Sequence, residues 1–243
     1  MAGEIRDLSG ARFEQVNLAG SRVHGAFLIN TKVTGAWVHS LDVSGEVQSL
    51  VVNGVEVAGY VKAELERRHP ELGYLESKDV PGLRLAWATL QEIAAATLDA
   101  ARALPPGALD ESVDDEFSYL QTLRHLVFAT DRWITGPVLG EVDHFHRLGY
   151  PYDSAPSEER APLDVDAHPT LDVVLKVRAE RVGFVDALVR EATDESLARI
   201  VDSPNGGTTT VGDCIRVVFI EEWWHHRYAD RDLAALASRG DGP

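Results

Sequence analysis

Over its first 45 residues the chain places an apolar residue at every fifth position, a spacing that fits neither a helix, which returns every 3.6 residues, nor a strand, which returns every second. The series runs Leu8, Phe13, Leu18, Val23, Leu28, Val33, Val38 and Val43. Small residues sit two places earlier at Ala11, Ser21, Ala26, Thr31 and Ala36, and Gly10, Gly20, Gly25, Gly35 and Gly45 stud the corners between. A fixed short period marks a stacked architecture in which no single repeat buries its own apolar edge. The spacing lapses over Val47 to Val57 (VQSLVVNGVEV), which reads as a short extended cap.

This pattern resembles that of pentapeptide-repeat proteins over about residues 5–57. The resemblance implies a right-handed square β-helix with one side per repeat, the central apolar residue and the small residue two before it pointing inward. Eight units make only about two coils, too few to bury a core unaided. The segment is therefore expected to dock on the rest of the chain or on a second copy in a homodimer, with His24 and His39 on its surface.

Beyond it the periodicity becomes helical. A short helix over about Val57 to Arg68 precedes a polar connection, Pro70 to Pro81, which reads as the domain boundary. Four long helical segments follow: Gly82 to Ala103, Tyr119 to Leu139, Leu171 to Glu191, and a last one that opens at Thr210 and closes near Ser238. An irregular stretch, Gly140 to Pro169, separates the second from the third. The expected organisation is a repeat segment at 1–57, a short helix and linker at 58–80, and an antiparallel four-helix bundle at 81–243. The fold class is thus α+β, a small right-handed β-helix followed by the bundle.

The chemistry concentrates in the last helix, where Val217 to Leu233 reads VVFIEEWWHHRYADRDL. Glu221 and Glu222 are followed four residues on by His225 and His226, so each carboxylate stands one turn below an imidazole. A Glu–His pair of this kind on a surface helix is worth only a few tenths of a kcal/mol. Here it is embedded among Val218, Phe219, Ile220, Trp223 and Trp224, where polar groups need partners or a task. Four-helix bundles commonly hold metals between facing helices, and His125 is the only histidine of the second segment. A lone helical histidine is more often a packing residue, but a Glu–His pair in the same bundle makes it the third ligand. His144 and His146 form an HxH pair in the irregular stretch, where a solvated role is the simpler reading.

Composition narrows the function. A net charge of −16 opposes nucleic-acid binding, which needs clustered Lys and Arg. Cys214 is the only cysteine, so neither an intrachain disulfide nor a thiolate cluster can form, and its place in the last helix suits packing. No uninterrupted apolar run approaches the roughly 20 residues of a membrane span. The N-terminus, MAGEIRDLSG, lacks a signal pattern, and a cytoplasmic protein is expected.

TLRHLVFATDRW around His125, together with EEWWHHRYADRDL, resembles the DinB superfamily, and specifically its DinB-like members with an N-terminal pentapeptide repeat. The resemblance implies a divalent metal held by a histidine of the second helix and two residues four apart on the last. The mycothiol-dependent branch uses Glu-x-x-x-His there, which places the ligands at His125, Glu221 and His225. A strict apolar seam through Ile215, Phe219, Glu222, His226, Ala229 and Leu233 would instead turn Glu222 and His226 inward. Two histidines and one carboxylate suit zinc with an open position. The implied activity is thiol S-transfer or isomerisation, with mycothiol or a similar small thiol as co-substrate and a small electrophile as its partner. Two rivals stand beside it: an interaction module in which the metal only ties helices together, and a non-haem iron oxygenase with the same ligand set.

Overall fold

The computed structural model describes residues 7–23, 25–45 and 47–240. The chain divides into two compact units at Pro70 and Glu71.

In the first unit the β-helix expected from the sequence is not present. Its only strands among the described residues are β1 (Val51–Val52) and β2 (Val55–Glu56), an antiparallel pair, followed by helix α1 (Ala58–Arg68). The five-residue period survives as turns: the backbone takes positive φ at Gly10, Gln15, Gly20, Gly25, Asn30 and Gly35. These corners are not joined by strand ladders, so no wall forms for the apolar residues to point into. Leu8, Phe13, Leu18, Val23, Leu28, Val33, Val38 and Val43 accordingly remain between 49% and 77% exposed. His39 is exposed, and His24 lies outside the described residues. The α+β expectation thus gives way to a mostly helical protein whose sheets, among the described residues, are two short ribbons. The predicted extended cap at Val47 to Val57 contains the β1–β2 hairpin, turned at Asn53-Gly54 with positive φ at both, the conformation an Asn-Gly hairpin favours.

The second unit contains helices α2 (Leu72–Leu75), α3 (Val80–Arg102), α4 (Tyr119–Thr130), α5 (Ser157–Arg160), α6 (Leu171–Arg190), α7 (Asp194–Ala198) and α8 (Val211–Gly240). Four of them are long and pack in a ring: α3 lies on α8 and α6, and α4 on α6 and α8. Three of them, α3, α4 and α8, start on a side-chain cap. Asp79 caps α3 by accepting from Gly82 N, and Ser118 and Gln121 exchange bonds in a full capping box on α4. Thr210 caps α8 by accepting from Asp213 N, while its hydroxyl donates to the Asp213 carboxylate.

Two apolar clusters fill the ring. One joins Leu83, Trp87 and Leu90 of α3 to Val185 and Val189 of α6 and to Ile215, Phe219 and Trp223 of α8. Trp87 stacks on Phe219 with ring centres 5.4 Å apart. The other joins Leu120 and Leu123 of α4 to Val174 of α6 and Leu233 of α8. Among the described residues no helix is long and apolar enough to cross a membrane.

The second predicted helix is interrupted before Leu139, beside the Thr135-Gly136-Pro137 stretch whose sequence marks a kink or early end. A π-turn, Asp131–Thr135, follows α4, with Gly136 N donating to Asp131 O. Such turns insert one extra residue and re-aim the side chains beyond it. Here Asp131 points inward, fully buried against Arg181 of α6, while Arg132 and Trp133 line a cavity. Between α6 and α8 the chain forms α7 and an antiparallel ribbon of β3 (Ile200–Asp202) and β4 (Thr208–Thr210) around Gly206-Gly207.

Candidate metal centre

His125 stands in the middle of α4, where all but one residue of the helix is buried. Glu221 and His225 stand one turn apart on α8. The structure brings a ligand atom of each within 4.8 Å of the other two. Glu221 Oε2 lies 3.5 Å from His125 Nε2 and 3.2 Å from His225 Nε2. Ligands held about 2.0–2.2 Å from a zinc ion sit roughly 3.3–3.5 Å apart on a tetrahedron, which the two separations from Glu221 match.

The surroundings orient these donors. His125 Nδ1 lies 2.9 Å from the carbonyl oxygen of Tyr150, which can only accept, so Nδ1 carries a proton and Nε2 is the nitrogen turned toward Glu221. Phe117 packs against both imidazoles, stacking within 8° of the His225 plane. Burial pushes the His225 imidazole below its ordinary value despite the pull of Glu221, which favours the neutral ring that a metal requires. Burial works to raise the Glu221 carboxyl, but His125 and His225 outweigh it and hold the group well below the usual carboxylate range.

The neighbouring pair takes a different role. The seam Ile215, Phe219, Glu222, His226, Ala229 and Leu233 is indeed the most buried stripe of α8, with no member more than 4% exposed. It faces Arg178 of α6 rather than His125: Arg178 Nη2 donates to Glu222 Oε1 and Nη1 to Leu126 O. Burial opposes ionisation of Glu222, yet Arg178 and His226 bring its carboxyl down to about 2. His226 Nε2 lies 3.3 Å from Glu222 Oε2, and neither ring nitrogen has a hydrogen-bond partner among the described residues. The HxH pair stays apart from the centre. His144 Nδ1 lies near the carbonyls of Glu141 and Val142, and His146 Nδ1 accepts from Leu148 N.

The irregular stretch after α4 is an ordered strap. Arg124, 3% exposed, donates to the carbonyls of Leu148, Asp164 and Ala167, and its own carbonyl accepts from Tyr150 N. Its guanidinium also lies 5.1 Å from the centre of the Tyr150 ring, whose hydroxyl accepts from Gln121 Nε2. Asp131 holds the same strap by accepting from His146 N. Asp131, which the sequence offers as a group that could orient a ligand, instead holds Arg181 and the strap, while Arg124 and Tyr150 were not singled out from the sequence, where the one available signal for Arg124 is a charged residue inside an apolar helical run.

Beside the donors opens a cavity of about 220 Å³, with His125 and Glu221 on one wall and Phe128, Arg132, Trp133, Tyr152, Asn205 and Val217 on the others. It is drawn from α4, the π-turn, the strap, the β3–β4 ribbon and α8. A group bound there would lie beside His125 and Glu221.

The family model of the DinB superfamily matches residues 89–229, a span that includes His125, Glu221 and His225. No curated protein and no solved structure matches the chain.

Proposed function

The chain belongs to the DinB superfamily, and on that premise we propose that it is a divalent-metal-dependent thiol S-transferase or isomerase whose ion is held by His125, Glu221 and His225. The observation that carries this reading is the convergence of three donor atoms from two helices beside a cavity. Two imidazoles and one carboxylate suit zinc and leave a position free. When bound, the ion lowers the pKa of a thiol in that position, so that a thiolate forms near neutral pH.

The protein's own groups supply the rest. The Tyr150 carbonyl holds His125 in the tautomer that offers Nε2. Phe117 and Phe128 flank His125 and limit access of water. The cavity places an electrophilic carbon next to the thiol sulfur. The C–S bond forms from the sulfur lone pair, the displaced pair leaves with the leaving group or moves onto a conjugated atom, and the thiol proton passes to solvent.

The thiol comes from outside. Cys214 is fully buried in α8, and burial pushes its pKa up to about 11. A small thiol such as mycothiol is the co-substrate that the resemblance implies. An ion serving only to tie α4 to α8 would leave the adjacent cavity without a task. The test is conjugation of a small thiol to an electrophile such as 1-chloro-2,4-dinitrobenzene, measured before chelation, after chelation and after zinc is restored. Turnover that follows the metal supports the reading. A chelated protein that melts at lower temperature, with no thiol-dependent turnover in either form, reduces the centre to a structural tie.

A further inference from the structure

The polar atoms on the cavity wall are unequally satisfied, and this says what kind of molecule the cavity accepts. The acceptors are already engaged. Both oxygens of Glu159 take Arg132 Nε, Asn205 Oδ1 takes Arg132 Nη2, and Glu221 Oε2 faces the two imidazoles. The donors are not: Arg132 Nη1, the Tyr152 hydroxyl, the Trp133 indole N–H and the Asn205 side-chain NH2 have no hydrogen-bond acceptor among the described residues. Arg132 is 7% exposed and rigidly placed, its guanidinium 5.4 Å from the Trp133 ring centre and 5.8 Å from that of Tyr152. A nearly buried donor of this kind calls for an acceptor on the ligand.

Charge narrows the acceptor. Arg132 is neutralised by Glu159, and Glu221 adds a further negative charge. A divalent ion and a thiolate together would bring the site to neutrality. In neither condition does an uncompensated positive charge remain for a carboxylate, and the chain as a whole carries −16. Phe128, Trp133 and Tyr152 supply flat apolar walls on either side.

Building on the thiol-transfer reading, we infer that the cavity takes a neutral, flat electrophile through a carbonyl oxygen, with Arg132 Nη1 and the Tyr152 hydroxyl as the specificity-determining donors. The carbonyl is conjugated to the reactive carbon. As the C–S bond forms, the π pair shifts onto that oxygen, the developing charge faces Arg132, and a proton from solvent is then taken up at the carbon next to the carbonyl.

The test uses three unreactive probes of one shape on the full-length protein: acetophenone, ethylbenzene and benzoate, with affinities measured by ligand-observed saturation-transfer NMR. Acetophenone is expected to bind at least about tenfold more tightly than ethylbenzene, and benzoate no more tightly than acetophenone. Tyr152→Phe removes only a hydroxyl and Arg132→Lys keeps the charge. Each should reduce the preference for acetophenone at least about threefold without changing ethylbenzene binding. Equal binding of acetophenone and ethylbenzene, tighter binding of benzoate, or an undiminished preference in Tyr152→Phe would overturn the assignment. Acetophenone and ethylbenzene are titrated with and without zinc, and benzoate without zinc only, because zinc without a thiolate would leave one positive charge and an open position that a carboxylate takes. Loss of metal binding would therefore sink the thiol-transfer reading while leaving this comparison readable.

Discussion

His125 donates its Nδ1 proton to the carbonyl of Tyr150 across 2.9 Å, so the tautomer of the central imidazole is set by a strap 25 residues further along the chain. The strap is held in turn by Arg124, one residue before His125, through three carbonyl oxygens. The candidate ligand and the group that fixes its environment are thus sequence neighbours on α4. Removing such an outer partner from a metal site typically costs 10- to 100-fold in affinity.

Arg124→Met should therefore weaken zinc binding by about 10- to 100-fold while the ligands remain intact. Arg124→Lys, which cannot reach three carbonyls at once, should fall between it and the parent. Isothermal titration of the three proteins, with circular dichroism to confirm folding, checks this. Unchanged affinity in Arg124→Met would mean that the strap does not govern His125.

His125→Ala should abolish stoichiometric metal binding while leaving helix content nearly intact, because it removes one of three donors and leaves both apolar clusters untouched. Metal analysis of the purified variant is sufficient. Full occupancy would exclude His125 as a ligand.

The two adjacent glutamates should separate two kinds of loss. Glu221→Gln replaces an anionic donor by a neutral amide and should cost metal affinity heavily with little change in stability. Glu222→Gln leaves Arg178 buried without its counter-charge and should cost about 3 kcal/mol of stability with a smaller effect on the metal. Denaturant melts and zinc titrations on both variants read the two losses in parallel. A larger loss of metal affinity in Glu222→Gln would move the site to Glu222 and His226.

Cys214 should be inert in the folded protein. With its thiol buried and its pKa near 11, only about one molecule in a thousand is a thiolate at pH 8. Alkylation by iodoacetamide should be slow at that pH, accelerate as pH climbs toward 11, and become rapid in denaturant. Complete labelling within minutes at pH 8 would place a reactive thiol inside the protein and remove the need for an external one.

The helical unit was legible because its information is local. The capping signals at Ser118 and Thr210 and the apolar spacing of α3, α4, α6 and α8 each act within a few residues. The juxtaposition of His125 with Glu221 could be anticipated only from the bundle and the resemblance, since 96 positions separate them. Two kinds of information were not local. The period of five coincides with positive-φ positions in the first unit, but coil closure depends on ladder hydrogen bonds that no single repeat encodes, and none joins those positions among the described residues. The Arg124 strap and the cavity wall depend on where an irregular stretch settles, which is decided by a few buried cations and carboxylates rather than by any periodic signal. The Ile200–Asp202 and Thr208–Thr210 ribbon did carry a signal, β-branched runs on either side of Gly206-Gly207.

Cobalt substitution tests the central claim most directly, because Co(II) reports both the donor set and the arrival of sulfur in one absorption spectrum. The full-length protein is titrated with Co(II), and N-acetylcysteine is then added to the parent and to Glu221→Gln. The expected result is one equivalent bound with the visible bands of a low-coordinate ion, followed by a sulfur-to-cobalt charge-transfer band in the near ultraviolet on adding the thiol. Both signals should be lost or strongly weakened in Glu221→Gln. A parent protein that binds no cobalt, or whose cobalt spectrum is unmoved by the thiol, would contradict a thiol-activating metal centre at His125, Glu221 and His225.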